Sequence, residues 1–446
     1  MNRRISAIAI AFLACLAVTR PAGAAVERVV SAGGIEAWLI EDHSNPLISL
    51  AIGFHGGSAL DPADKQGLAH LASGLLDEGA GDLDSKTFQA KLADLAIDLG
   101  FDADDDSFVG RLRTLTAHRD EAFGLLHLAL TKPRFDAEPL SRVRNQVLSS
   151  IAADASDPGS IAGQAWFRLM LDGHPYARPN KGNAKTLGAI TAEDLRYFAA
   201  ARFGRDQMRI AVVGDITAAE LGPLLDRSFA DLPAKAASIA LAEAPAPGPG
   251  GIAVIDRDLG QSIVLFGHAG IKRADPDFYT AALLDDIMGG GNFASRLQRS
   301  LREKRGLVYS IDTGLITLDH AALVSGSFGT KNASVAQAIE LTRGEWRRME
   351  EGGPTATELT DAKTHLIGEY ALRFDSTRKA ADSLLGIQLA GLPIDYMDHR
   401  AEYFDKVSLA DAKRVAGRLY HAAELRFLVL GRPIGVTGDL TPPPID

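Results

Sequence analysis

The first candidate for metal binding is a single histidine on a Leu-rich helical segment. His70 lies in the segment KQGLAHLASGLL, whose leucines recur at the spacing of one buried helix face. Gly74 follows four positions later, so Gly74 and His70 lie together on a different face of the helix from the leucines. Catalytic zinc needs about three protein ligands and a base for its water, but Gly74 has no side chain and Ser73 is neutral. An independent metal site at His70 would need further ligands from distant parts of the chain.

The second candidate is a run of glycines before a helix. Gly289, Gly290 and Gly291 precede Asn292 and the segment FASRL. Such a loop can cradle phosphate, but the GK[ST] ending of a P-loop and the G-x-G-x-x-G frame of a dinucleotide site are both missing. The glycines therefore indicate a loop that lets another backbone approach closely.

An acidic run, DADDDS at residues 102–107, has the composition of a calcium loop. It lacks the central glycine and the closing glutamate of the EF-hand pattern. We expect a solvated turn beside a strand at residues 108–115.

The elements that position these residues follow the same order in both halves of the chain. Each half begins with apolar or alternating segments that predict strands; these are Val26–Val30, Ile35–Ile40, Leu47–Phe54, Ile252–Asp256 and Gln261–His268. Each half then has helices with apolar residues three and four positions apart, such as Ser141–Ala153 and Ala356–Arg373. Each half ends with a helix and a strand; these pairs are Leu195–Arg202 with Ile210–Gly214, and Leu409–Leu419 with Leu425–Leu430.

This repeated order predicts an α+β fold of two similar domains, each an α/β sandwich with helices packed on a mixed, largely antiparallel sheet. Residues 233–250, PAKAASIALAEAPAPGPG, are rich in Ala, Pro and Gly and predict a linker. The domains should therefore span 26–232 and 251–446.

The composition excludes several classes of function. The chain carries 47 Lys and Arg against 57 Asp and Glu, a net charge of −10, which does not suit a nucleic-acid-binding protein. It has one cysteine, which excludes a disulfide framework and a Cys-based zinc site.

The first 25 residues predict a cleavable signal peptide. Arg3 and Arg4 precede the apolar run Ile5–Val18, and the small residues 21–25, PAGAA, suit a peptidase site. We expect export to the periplasm and no membrane association after cleavage.

The helix with His70 resembles the metal-binding helix of the pitrilysin and mitochondrial-processing-peptidase family, zinc peptidases with an inverted H-x-x-E-H motif. In that family two His residues and a glutamate on a later helix bind zinc, and the Glu of the motif activates water. The correspondence puts Ser73 at this Glu, Gly74 at the second His and Ser150 at the later glutamate. It implies that the chain binds no metal and that His70 is a hydrogen-bonded remnant.

The segment LREKRGLVY, from Leu301 to Tyr309, resembles the family's Leu-Arg-x-Lys-x-x-Leu-x-Tyr stretch. There an Arg and a Tyr reach across to the zinc site of the opposite half, so the resemblance implies that role for Arg302 and Tyr309. A guanidinium and a phenol can hydrogen-bond a peptide carbonyl oxygen as it gains negative charge. Without the resemblance, Arg302 would be read as a charge at a helix C-terminus and Tyr309 as an amphipathic strand residue.

The resemblance implies half of a clamshell: a noncatalytic subunit of a periplasmic zinc endopeptidase, paired with a homologous H-x-x-E-H subunit that holds the zinc. Arg302 and Tyr309 would act on peptide substrates, and Gly289, Gly290 and Gly291 would help to capture them. The alternative is a noncatalytic peptide-binding or structural protein that has no protease partner.

Overall fold

The computed structural model describes residues 25–290 and 294–445. The predicted signal peptide, apart from Ala25, lies outside the described residues, and so does Gly291 of the predicted loop. Among the residues that are described, no helix is long and apolar enough to cross a membrane.

The first half of the chain forms a six-stranded sheet with helices. Its strands are β1 (Glu27–Val30), β2 (Glu36–Glu41), β3 (Leu47–His55), β4 (Asp98–Ala103), β5 (Ser107–Leu115) and β6 (Met208–Gly214). Its helices are α1 (Leu68–Ser73), α2 (Ser85–Asp94), α3 (Arg119–Thr131), α4 (Ala137–Asp154), α5 (Pro158–Met170), α6 (Ala184–Ala189), α7 (Ala192–Arg202) and α8 (Ala218–Phe229). The strand order is β1-β2-β6-β3-β5-β4, and only the β2–β6 pair among these neighbours is parallel.

The second half forms a five-stranded sheet with helices. Its strands are β7 (Gly251–Asp256), β8 (Gln261–Ala269), β9 (Val308–Leu318), β10 (Ala321–Lys331) and β11 (Arg426–Gly431). Its helices are α9 (Phe278–Met288), α10 (Val335–Gly352), α11 (Ala356–Glu369), α12 (Thr377–Leu389), α13 (Tyr396–Asp405) and α14 (Leu409–Leu419). The strand order β7-β11-β8-β10-β9 repeats the order of the first sheet without β1, and again one pair, β7–β11, is parallel. The predicted α+β class with two mixed, largely antiparallel sheets is confirmed.

Each sheet is covered on its second face by a helix from the other half of the chain. Helix α12 lies across β3 and β6 of the first sheet, where Gln388 Nε2 donates to Ile210 O at 2.9 Å. Helix α5 lies across β8 and β11 of the second sheet, where Trp166 and Met170 pack with Leu428. Both sheets are therefore buried on two faces, which explains why β3 is buried at every residue from Ile48 to Phe54 rather than at alternate ones.

The acidic run does not form a simple solvated turn. Asp106 accepts a hydrogen bond from the Tyr176 hydroxyl and, at 2.9 Å, another from the backbone N–H of Asp319 in the β9–β10 turn. The expectation of a merely solvated turn is therefore wrong at this position, because the loop contacts the hairpin of the second half.

Candidate functional site

The helix that carries His70 is short because it is capped early at both ends. At its start the buried Asp61 carboxylate accepts backbone N–H groups of Gly67 at 3.1 Å and of Ala69 at 3.2 Å. Burial raises the pKa of Asp61 to about 7. At its end the Ser73 hydroxyl donates to His70 O at 2.8 Å, and Gly74 leaves the helical conformation with φ −78° and ψ 2°. Gly74 is thus the C-cap, and its N–H still donates to His70 O at 3.4 Å, so the prediction that it lies on the same helical face as His70 is confirmed.

A lysine ammonium lies among the remnants of the metal site. Ser150, on α4, accepts a hydrogen bond from Lys181 Nζ at 2.8 Å, and the same ammonium forms an ion pair with Asp154 at 2.6 Å. The pKa of the half-buried His70 is lowered, first by burial and then by the charge of Lys181. The Lys181 ammonium therefore places a positive charge beside Ser150, the position that corresponds to the later glutamate, and near enough to His70 to affect its pKa.

The residues at this position do not fit zinc. No group of three or more His, Cys, Asp or Glu side chains that could hold a metal occurs within residues 25–290 and 294–445. The hydrogen-bonding part of the His70 prediction is not supported, since its ring has no hydrogen bond to any described residue. The geometry contains no ligand set and no general base for hydrolysis.

Arg302 lies on an unusually wide helical turn. Residues Gln298–Glu303 form a π-helical segment, in which Lys304 N donates to Arg299 O at 3.1 Å, rather than the expected α-helix. Gly306 follows the segment in the left-handed conformation, with φ +59°, and its N–H donates to Arg302 O at 2.8 Å. Single π-turns are rare and occur often at functional sites.

Tyr309 is presented to solvent by an irregularity in the edge strand β9. The register between β9 and β10 shifts so that Tyr309 and Ser310 together oppose Gly329, a β-bulge that re-aims side chains. Tyr309 is 86% exposed, the highest value among the large apolar and aromatic side chains that are exposed. The Arg302 guanidinium carbon lies 5.7 Å from the centre of the Tyr309 ring. The turn and the bulge thus bring these two predicted residues together at the surface.

The described glycines of the Gly-rich loop pack against the backbone, as predicted. Gly289 O accepts a hydrogen bond from the Thr313 N–H of the edge strand at 3.1 Å. A Cβ on Gly289 would lie 2.7 Å from the Thr313 hydroxyl, and one on Gly290 would lie 2.7 Å from the Asp286 Cα. Neither position has room for a side chain.

The sequence did not reveal a polar cavity of about 380 Å³ beside this loop. His365 Nδ1, on α11, lies 2.8 Å from the carboxylate of Asp286, which is 2% exposed. Arg296 forms a bidentate pair with Glu358 on the same cavity, with both bonds at 2.8 Å. The feature of the sequence that could have indicated this cavity is the acidic pair Asp285–Asp286 within an otherwise apolar helix.

Together, the two similar sheets and a His70 site without further zinc ligands among the described residues fit a relative of two-domain zinc peptidases. The sequence profile described as the peptidase M16 inactive domain matches residues 189–366. The chain is 26% identical over 373 residues to the "non-peptidase homolog YmxG" of Helicobacter pylori, which covers 83% of this chain and 86% of that protein. It is also 26% identical over 259 residues to an uncharacterized zinc protease of Streptomyces coelicolor, covering 56% of this chain and 55% of that protein.

Solved structures agree with the sequence comparisons. The crystal structure of a peptidase M16 inactive domain from Pseudomonas fluorescens has a TM-score of 0.85 and 26% identity, and covers 94% of this chain and 100% of that one. A protease structure from Helicobacter pylori shares the fold, with a TM-score of 0.82, 17% identity, and coverage of 91% and 99%. The resemblance to the pitrilysin-like M16 family is confirmed, and the chain is similar to proteins described as inactive or non-peptidase members of that family.

Proposed function

We propose that this chain is the noncatalytic subunit of a periplasmic, heterodimeric zinc endopeptidase. The observation that carries the proposal is the surface pair Arg302–Tyr309, with its 5.7 Å separation and its 86% exposed tyrosine. A guanidinium and a phenol held side by side at the surface can both donate to one carbonyl oxygen. Nothing in the described part of the chain could use that pair for hydrolysis, so the reaction centre belongs to another polypeptide.

The partner is a homologous subunit that carries the complete H-x-x-E-H motif. When bound there, zinc activates the attacking water, which this chain cannot do. Arg302 and Tyr309 then hold the peptide carbonyl and stabilise the negative charge that develops on its oxygen. The bulge at Tyr309 and the exposure of its ring leave the hydroxyl accessible to such a partner.

The Gly-rich loop supports the same role. Gly290 is partly exposed, the adjacent Gly289 is buried against the edge strand, and both precede the segment that carries the Arg–Tyr pair. We propose that this loop contacts the substrate backbone. Gly291 would extend it but lies outside the described residues.

Mixing the two subunits tests the proposal. The mature chain and an H-x-x-E-H homologue from the same genome are purified separately, and cleavage of an unstructured peptide is measured for each protein and for the mixture. We expect cleavage by the mixture far above the sum of the separate rates, together with co-elution in gel filtration. Chelator-sensitive cleavage by this chain alone would contradict the proposal.

A second candidate function is favoured by the name of the Helicobacter pylori relative, which is described as a non-peptidase homologue. Under this alternative the chain binds peptides or supports an assembly without any protease partner. It predicts peptide binding by the isolated chain and no change in the homologue's cleavage rate on mixing.

A further inference from the structure

A cavity of about 640 Å³ lies at the junction of the two halves, away from the sites described above. It is bounded by the end of α5, the turn at residues 172–178, the linker at 245–248 and the C-terminal segment 440–444. It shares no lining residue with the Arg302–Tyr309 pair or with the His70 site. Its volume is that of a site for a small organic molecule.

The charge of this cavity is opposite to that of the chain. Its described lining includes three arginines, Arg168, Arg178 and Arg426, and one carboxylate, Asp172, whereas the chain as a whole has a net charge of −10. Arg168 donates to Pro444 O at 2.5 Å, which fixes the C-terminal segment over the cavity. A concave cationic surface in an acidic protein concentrates anions locally.

Two of these guanidinium groups keep unused donors. Arg426 Nε and Nη1 donate to backbone carbonyl groups, including Leu169 O at 2.8 Å, while its Nη2 has no acceptor among the described residues. Arg178 has one hydrogen bond within the described chain, from Nη1 to Asp61 O at 3.3 Å. Neither forms an ion pair there with a carboxylate. Burial lowers the pKa of Arg426.

Much of the remaining wall is formed by proline and aliphatic side chains. Five prolines line the cavity, namely Pro245, Pro247, Pro442, Pro443 and Pro444. Proline has no backbone N–H, so much of the wall offers hydrogen-bond acceptors and apolar rings, and the arginines supply the strong donors. Leu169, Met170 and Leu440 add aliphatic surface.

From this arrangement we infer a binding site for a small organic anion, one whose phosphate or carboxylate group contacts Arg178 and Arg426 and whose apolar body contacts the proline walls. Arginine suits both anionic groups because its planar donors match their oxygens in pairs. The inference is independent of the proposed peptidase partner.

Calorimetric titration of the purified full chain with three probes tests the site. Phenyl phosphate and benzoate share an apolar ring and differ in the anionic group, and inorganic phosphate tests the anionic group alone. We expect one of the two aromatic anions to bind, at least tenfold more tightly than inorganic phosphate. The tighter aromatic probe tells whether the natural ligand carries a phosphate or a carboxylate.

Three variants assign the binding to this cavity. Arg178→Met and Arg426→Met should each weaken binding at least tenfold, as loss of a charged hydrogen bond does. Arg432→Gln should leave binding unchanged, since Arg432 is exposed and paired with Asp256 elsewhere. If Arg426→Met does not fold, the affinity of Arg178→Met alone decides whether the probe binds in this cavity. Absence of millimolar binding by both aromatic anions, or binding insensitive to Arg178→Met, would overturn the inference.

Discussion

The substitution Lys181→Met tests whether a lysine has taken over the electrostatic role of a metal ion. It keeps the length of the side chain and removes the ammonium that contacts Ser150 and Asp154. Both charged side chains are partly exposed, at 30% and 41%, so the ion pair itself should contribute little. Together with the hydrogen bond to Ser150, the loss should cost about 1 kcal/mol of unfolding free energy.

The more specific effect is on His70. Lys181 helps to lower the pKa of this imidazole, so its removal should raise that pKa toward the ordinary value of 6.5. NMR spectra of histidine-labelled protein, with the His70 signal assigned from a His70→Gln variant, report the titration directly. Lys379→Met is the matched control, because Lys379 is an exposed lysine on α12 that forms an ion pair with Asp375.

The sign of the accompanying pH effect follows from linkage. Since the pKa of His70 is lower in the folded chain than in the unfolded one, the unfolded chain takes up a proton first as the pH falls. Stability from this source is therefore present above pH 6.5 and declines below it. In Lys181→Met this decline should be shallower, and in a His70→Gln background the difference should vanish. A His70 pKa that stays constant or falls in Lys181→Met would refute the reasoning.

Three further predictions concern the metal and the core. Metal analysis of the purified chain should find far less than one zinc per chain, and chelator-removable stoichiometric zinc would contradict the incomplete site. His268 is buried, accepts Trp346 Nε1–H at 2.8 Å, and has its pKa lowered to about 4. Urea titrations should therefore show stability falling by about 3 kcal/mol from pH 7 to pH 4 through this group, and an unchanged slope in His268→Gln would exclude it. Leu384→Ala, on the face of α12 that covers the first sheet, should cost about 3 kcal/mol; a loss below 1 kcal/mol would show that α12 is not tightly packed there.

Much of the fold could be predicted because strands and amphipathic helices leave a periodic trace. Helix α14 has the predicted bounds, Leu409–Leu419, and β3 differs from its prediction by one residue. The sequence could not predict that α5 covers the sheet of the second half and α12 that of the first, since an apolar helix face does not specify which sheet it covers. The predicted helix Ala356–Arg373 gives way to a 3₁₀ turn at Tyr370–Phe374, although its apolar spacing continues.

Those features of the candidate site that depend on residue type could be predicted from the sequence. Those that depend on how distant segments meet in the fold could not. The loss of zinc ligands follows from Ser73, Gly74 and Ser150 themselves. Lys181 could not be identified from sequence, because a lysine on a loop is ordinarily a solvated charge and only the fold brings it to Ser150. The π-turn and the bulge that bring Arg302 to Tyr309 have no distinct sequence pattern either.

The turnover of the assembled complex with altered Arg302 tests the central claim most directly. At saturating peptide, Arg302→Ala should lower kcat roughly a hundredfold, as loss of one oxyanion donor does, while Lys304→Ala on the same exposed turn should not. Complex formation is checked in both variants by gel filtration. An intact complex of Arg302→Ala that cleaves peptide at the wild-type rate would contradict the account.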